Sequence, residues 1–342
     1  MPNVRYLNER KNAGLPETSR SPGEASDGDR RGRHAVGPWQ IPWQGWKDIL
    51  IRTYEQINQD RLLAVAAGVV FYGLLALFPA ITAIVSAYAL FAKPSTINDH
   101  LSMLSGMLPA GAFDIVKEQV GRVLEKGNLK LGTAFVASFL LALWSANGGV
   151  KAMIDALNVV YDERETRGFL KLNAVSLAFT FGGVLAILIA IGAVVALPIV
   201  LSTIGLGSIT DLLFRIGRWP LLVVLMLLGL ALLYRYGPNR RSPQWRWLTV
   251  GSVFATLTWL AGSALLSYYL ENYANYDATY GSLGAAIGLM MWMWMSTIVV
   301  LFGAELNSEI EHQTKVDSTE GGDKPMGKRG AYVADTVGEA KS

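Results

Sequence analysis

The 342-residue sequence has no cysteine and only three histidines, His34, His100 and His312. Disulfides, thiolate metal sites and cysteine nucleophiles are thereby excluded. The histidines fall near the two ends and in one long connection, so they cannot gather into a metal cluster. Charge is scarce as well. Asp, Glu, Lys and Arg make up 17% of the chain, where soluble domains carry about 25%. A net charge of +3 is too small to argue for nucleic acid. The Walker loop, H-E-x-x-H, G-x-S-x-G and dinucleotide fingerprints are all missing, so no cofactor, metal or ATPase chemistry is expected. The first residues lack the apolar run that a signal peptide needs.

What is abundant is apolar surface. Hydrophobic residues reach 51%, and mean hydropathy is +0.31. They lie in runs at 62–92, 132–150, 173–201, 219–236, 248–270 and 283–304. A helix needs roughly 20 residues to cross about 30 Å of hydrocarbon. The sequence therefore predicts an all-α membrane protein, a bundle of about six transmembrane helices. The run 132–150 is the weakest, since Asn147 and Lys151 interrupt its end. Pro79 and Pro198 lie inside the first and third, where membrane helices tolerate proline.

Outside this six-span domain of 39–311, residues 1–38 and 312–342 are polar and aperiodic. Their composition predicts disordered tails. Residues 43–60 read as an amphipathic interfacial helix: Trp46, Ile49, Leu50, Tyr54 and Ile57 on one face, Lys47, Asp48, Arg52, Glu55 and Gln59 on the other. Packing of this helix on protein is the plainer alternative. A second amphipathic helix, outside the membrane between spans 1 and 2, is predicted from Phe113, Val116, Val120, Val123 and Leu124. An even number of spans puts both ends on one side. That side, with the second and fourth connections, carries 23 Lys and Arg against seven. The bias predicts both termini in the cytoplasm of a bacterial inner-membrane protein.

Polar residues at membrane depth are costly and mark interiors or cavities. Asn147, Lys151, Asp155 and Asn158 recur at spacings of four, four and three, so a helix aligns them in one stripe, with Lys151 and Asp155 able to pair. The stripe can line a substrate path, or be an ordinary wet helix end. Arg235 leaves the fourth span. With Arg240, Arg241, Arg246, Trp245 and Trp247 it makes a basic aromatic surface, suited to anionic headgroups or simply to fixing topology. The connection 271–282 has no Lys or Arg and many Tyr, and Gly284 and Gly288 form a G-x-x-x-G pair. Glu305 follows the last apolar run and needs a partner, for which Lys151 and Arg235 lie at the same predicted depth. Asn307 is close by. Asn147, Lys151, Asp155, Asn158, Arg235, Glu305 and Asn307 are thus the candidate lining or gate. An oligomer is compatible with this composition, and no nucleic-acid partner is expected.

Several of these segments resemble the YihY/BrkB family of bacterial membrane proteins. They are Ala66-Ala67-Gly68-Val69-Val70-Phe71-Tyr72 through Leu77-Phe78-Pro79-Ala80, Trp144-Ser145-Ala146-Asn147-Gly148-Gly149, Tyr236-Gly237-Pro238-Asn239, Tyr280-Gly281-Ser282-Leu283-Gly284 and Gly303-Ala304-Glu305-Leu306-Asn307. The resemblance spans about 40–311. It implies six inner-membrane spans and brings historical labels of ribonuclease, virulence factor and serum resistance. The ribonuclease label fits poorly, because no acid–base pair or metal ligand set is placed to meet RNA. The leading expectation is a transporter, or a lipid or solute translocation factor, acting in envelope integrity. A non-transporting membrane scaffold is the alternative.

Overall fold

The computed structural model describes residues 30–91, 117–118, 121, 128–191, 208–272 and 284–341. The helices are α1 (Trp43–Gln59), α2 (Leu62–Phe91), α3 (Asn128–Val160), α4 (Phe169–Ile191), α5 (Ser208–Tyr236), α6 (Thr249–Asn272), α7 (Gly284–His312) and the short α8 (Tyr332–Asp335). Among the described residues the β-structure is one isolated bridge, Pro243 to Thr319. Stretches within α3, α4, α5, α6 and α7 are long and apolar enough to cross a membrane. The pair α1–α2, bent by 59° at Asp60–Arg61, makes a sixth if it counts as one span, so the candidates number five to six among the described residues. This is an all-helical bundle of multi-pass membrane type, as the composition predicts.

Helix α7 is the centre: α1, α2, α3, α6 and α8 all pack on it. Lipid tails are as apolar as leucine, so helices gather in a membrane through close packing and hydrogen bonds rather than through exclusion of water. The α6–α7 crossing shows the device. A Cβ on Gly251 would strike the Gly303 carbonyl, and a Cβ on Gly303 would lie 2.7 Å from that of Ala255. Tyr234 of α5 closes the crossing by donating its hydroxyl to the Val300 carbonyl at 2.8 Å. Leu62, Ala66, Leu157, Tyr161, Leu248 and Leu301 fill the space around it. Large apolar side chains on the outer faces, such as Phe181, Leu185, Leu188 and Leu265, stay exposed.

Element ends differ from the hydropathy runs. Helix α3 continues to Val160 and so carries Lys151, Asp155 and Asn158 on the same rod as Asn147. Helix α5 begins at Ser208, so part of the expected connection 202–218 is helical, and it holds Pro220. Pro198, the segment around Tyr280 and Gly281, and nearly all of the predicted helix at 113–125 lie outside the described residues.

The expectation for the ends is corrected. Residues 312–341, read as a disordered tail, fold across the α1/α7 end of the bundle and bury Gln313, Thr314, Asp317, Ser318 and Thr319. Residues 30–38, read as part of the other tail, fold there too, with Arg33 and Ala35 buried. Composition failed here because these segments bury little apolar surface. Their order comes from side-chain bonds to distant main chain. Arg33 donates to the carbonyls of Gln313 (3.2 Å) and Gly338 (2.6 Å), and Gln313 donates back to the Arg31 carbonyl at 2.8 Å.

Helix α1 departs from its expected two faces: Ile49 is buried as the apolar pattern predicts, but so are polar residues. Asp48, Arg52, Thr53 and Gln56 are buried, whereas Trp43 (69%), Leu50, Ile51 and Tyr54 are exposed, as is Trp39 (82%). Of the expected polar face, Asp48 and Arg52 are taken up by Arg31, Glu309 and the 313–341 segment, whereas Lys47 and Gln59 stay exposed.

Candidate functional site

The polar residues singled out by the sequence do not share one set of bonds. Most have a local task. Lys151 donates to Asn173 Oδ1 of α4 at 2.7 Å, and Asp155 is exposed, so the expected Lys151–Asp155 pair gives way to a helix–helix bond. Asn158 works in a turn lock. Its Oδ1 accepts the Asn239 N–H at 2.7 Å, and its Nδ2 donates to Glu165 at 3.2 Å. Asn239 Nδ2 donates to the Arg164 carbonyl and to Thr166 Oγ1, both at 2.7 Å, while Arg167 reaches the Gly237 carbonyl at 2.9 Å. The Arg167 guanidinium holds Glu165 below the usual carboxylate range. Gly237 is required because a Cβ there would hit the Leu233 carbonyl and lie 2.8 Å from Leu157 Cδ1. The Tyr236-Gly237-Pro238-Asn239 motif is therefore a clamp between the turns after α3 and α5. Tyr236 itself is exposed, with the Arg235 guanidinium 5.2 Å from its ring centroid.

Arg235 is buried. It pairs with Glu320, donates to the Pro243 carbonyl at 2.6 Å and stacks 4.4 Å from the Trp245 ring centroid. It is therefore unavailable to Glu305. Arg240, expected on a headgroup surface, is corrected likewise. Its side chain is wholly buried, 2.6 Å from Glu311 and 4.5 Å from the Tyr161 ring centroid. Arg241 Nη2 lies against Gly321. Of the three proposed headgroup arginines, Arg246 alone is exposed.

Asn307 acts as a tertiary cap. Its Oδ1 accepts the Gly251 N–H at 2.8 Å and its Nδ2 donates to the Leu248 carbonyl at 3.3 Å. Gly251 lies in the first turn of α6, where backbone N–H groups lack intrahelical partners. The Gly148-Gly149 pair of α3 seats Tyr72 of α2: a Cβ on Gly148 would lie 3.1 Å from the ring and one on Gly149 3.6 Å from the Tyr72 Cβ. Trp144, one turn away, is 80% exposed. Pro79 sits inside α2, and Gly284 opens α7.

Several buried polar atoms keep no hydrogen bond, among them Thr53 Oγ1, the Tyr161 hydroxyl and Trp247 Nε1, and two of the candidate lining residues belong to this set through their side-chain oxygens. Asn147 is buried with its Oδ1 unpartnered, and Glu305 is 1% exposed with both carboxylate oxygens unpartnered. They stand on α3 and α7, which pack against each other.

Sequence reasoning missed the ionic layer at the same end. Arg52 Nε lies 2.5 Å from Glu309, Arg31 2.8 Å from Asp48, and Ser318 Oγ donates to Glu311 at 2.7 Å. Glu163 accepts the Tyr332 N–H at 2.7 Å, and burial pushes its carboxyl up to about 7 despite that bond and Arg240. Spacing carries no signal for such pairs, since Arg52 and Glu309 are 257 residues apart. Among the described residues no group of three or more His, Asp or Glu is placed to hold a metal ion.

Residues 53–327 match the family described as virulence factor BrkB. A protein of Bacillus subtilis strain 168 named putative ribonuclease-like protein YfkH is 32% identical over 260 residues, covering 73% of this chain and 90% of the relative. A UPF0761 membrane protein of Alteromonas mediterranea is 26% identical over 265 residues, or 75% of this chain and 85% of its own. One from Photobacterium profundum is 23% identical over 261 residues, or 75% and 78%. No solved structure matches.

Proposed function

This chain belongs to the virulence factor BrkB family of membrane proteins, and on that premise we propose that it is a transporter, or a lipid or solute translocation factor, acting in envelope integrity. The observation that carries the reading is the pair of unsatisfied polar groups inside the bundle, Asn147 and Glu305. A buried polar group without a hydrogen bond costs about 1–3 kcal/mol, more if charged. A protein that only needed to pack would gain by replacing both with apolar residues of similar size. At intramembrane sites such groups mark ion and substrate pathways. The nuclease label carried by one relative's name is not extended to this chain, which is read as non-enzymatic.

In this reading the protein sits in the bacterial inner (plasma) membrane with the α1/α7 end and both termini in the cytoplasm. Trp39, Trp43, Leu50, Ile51 and Tyr54 rest at the headgroup level, where amphipathic aromatic side chains are favoured. Arg246 and the exposed Trp245 meet anionic lipid beside them.

Purified protein in proteoliposomes tests the proposal, with labelled phospholipids, lipid A precursors and small osmolytes as candidates. Faster movement than in empty liposomes, lost in Glu305→Ala, is the expected result. If nothing moves faster and Glu305→Ala also leaves the cellular phenotype intact, the reading fails. The backbone contact of Gly251 with Gly303 favours a scaffold as the second reading, and retained envelope function without any flux would select it.

A further inference from the structure

Glu305 lies in the last third of α7, between Ala304 and the capping residue Asn307, with 1% of its surface exposed. Neither carboxylate oxygen has a hydrogen-bond donor. The charged groups that face it come from three elements: Glu309 from its own helix, Asp60 from the α1–α2 corner, and Asp162 from the turn after α3. The Tyr161 hydroxyl lies within reach of the same field. Every one of these carboxylates is an acid. The candidate cations of this end pair with other groups: Arg52 with Glu309, Arg240 with Glu311, Arg235 with Glu320 and Lys151 with Asn173. An isolated ionised carboxylate in an apolar interior costs many kcal/mol, so it must acquire a compensating positive charge.

We propose that Glu305 is the binding site for a monovalent cation, a proton or an alkali ion, that enters from the α1/α7 end past Asp60 and Asp162. Both aspartates are half-buried and stand at corners of the bundle, Asp60 between α1 and α2 and Asp162 after α3. Arg61 and Asp162 hold positive φ values of 51° and 54°, which fold the two corners sharply beside the Glu305 end of α7. Carboxylates grouped at one end of a bundle raise the local concentration of cations from solution. A divalent metal would need a fuller ligand set than the described residues gather. Cation binding stands whether or not the chain transports. Where transport holds, this is the position of the coupling cation.

Full-length protein in lipid nanodiscs is the material for the test. Infrared difference spectroscopy in choline chloride reads the carbonyl stretch of a protonated carboxylic acid, and thermal unfolding with sodium against choline reads an alkali ion. In a Glu163→Gln background, which removes the carboxyl pushed up to about 7, a proton at Glu305 gives a protonated-acid band at neutral pH that is lost on adding Glu305→Gln. An alkali ion gives a saturable sodium-dependent rise in Tm that is lost in the same variant. Asp162→Asn, on a partly exposed turn, is expected to slow hydrogen–deuterium exchange of the band without removing it. Should the Gln variant not purify, Glu305→Ala is read in the same background. Absence of both signals overturns the proposal, and so does survival of either signal in Glu305→Gln. Cation binding without any solute flux sinks the transport reading and leaves this one intact.

Discussion

Replacing Arg52 by Met strands a carboxylate. The guanidinium holds Glu309 through Nε at 2.5 Å, and Nη2 donates to Gln313 Oε1 at 2.8 Å and to the Glu309 carbonyl at 3.2 Å. Nη1 donates to the Glu339 carbonyl at 2.9 Å. Both side chains are 6% exposed or less, so solvent screens little. Removing one partner of a buried pair costs about 3–5 kcal/mol. His312 Nδ1, 3.7 Å from Glu309, keeps part of the compensation and favours the lower end. At 1.4 kcal/mol per tenfold, about 3 kcal/mol opens the docked 313–341 segment roughly 100-fold more often. Hydrogen exchange in nanodiscs measures this directly: peptides from 313–341 exchange about 100-fold faster while α6 is unchanged. Adding Glu309→Leu removes the stranded charge and recovers a good part of the protection. Wild-type exchange in Arg52→Met, or a double variant faster than the single one, refutes the argument.

Two further predictions concern the same end and the helix crossing. Glu163 sits at about 7 when docked against Tyr332, above the ordinary 4.5. The docked state binds more protons between those values, so docking is strongest below 4.5 and weakens as pH rises through about 7. Protection of 328–338, corrected for intrinsic exchange, follows that fall in the wild type and is flat in Glu163→Gln; an unchanged slope in the variant sinks the assignment. Gly251→Ala places a Cβ 2.5 Å from Asn307 Cγ and against the Gly303 carbonyl, costing about 1–3 kcal/mol as overpacking does. Gly229→Ala, with nothing within 4 Å, is the control and leaves the melting temperature level or slightly raised. Equal effects from the two substitutions contradict the packing account.

The parts of the fold written in local chemistry were legible. Apolar runs located the spans, and Gly237-Pro238-Asn239 announced a helix end that the structure turns into a clamp. Gly148-Gly149 stood out only within a stretch of the resemblance, and it proves to be a seat for Tyr72. What depends on distant partners was not legible. Lys151 has a carboxylate four residues on, yet it bonds across to α4, because Asp155 points outward and Asn173 lies within reach. The 312–342 segment looked disordered since it has little apolar surface to bury. Its order rests on arginines whose targets are main-chain carbonyls, which any sequence possesses and no pattern reveals. Glu305 was legible as a problem, a carboxylate at the end of an apolar run. That its expected partners are already taken only the coordinates could say.

The bonds from Arg52 to Glu309 and Glu339 span 257 and 287 residues, and this has a consequence in time. Chains emerge at about 5–20 residues per second, so Arg52 waits roughly 13–50 s for Glu309. Arg33, whose carbonyl partners lie 280 and 305 residues on, waits longer. Throughout that interval Arg52 has not yet met Glu309, and the α1/α7 end has no lock. Only after the spans are placed do the later residues arrive and bring the main-chain carbonyls and carboxylates that these arginines bind. The latch at this end is thus among the last contacts the chain can close, so the helices must hold their places on their own packing until it forms.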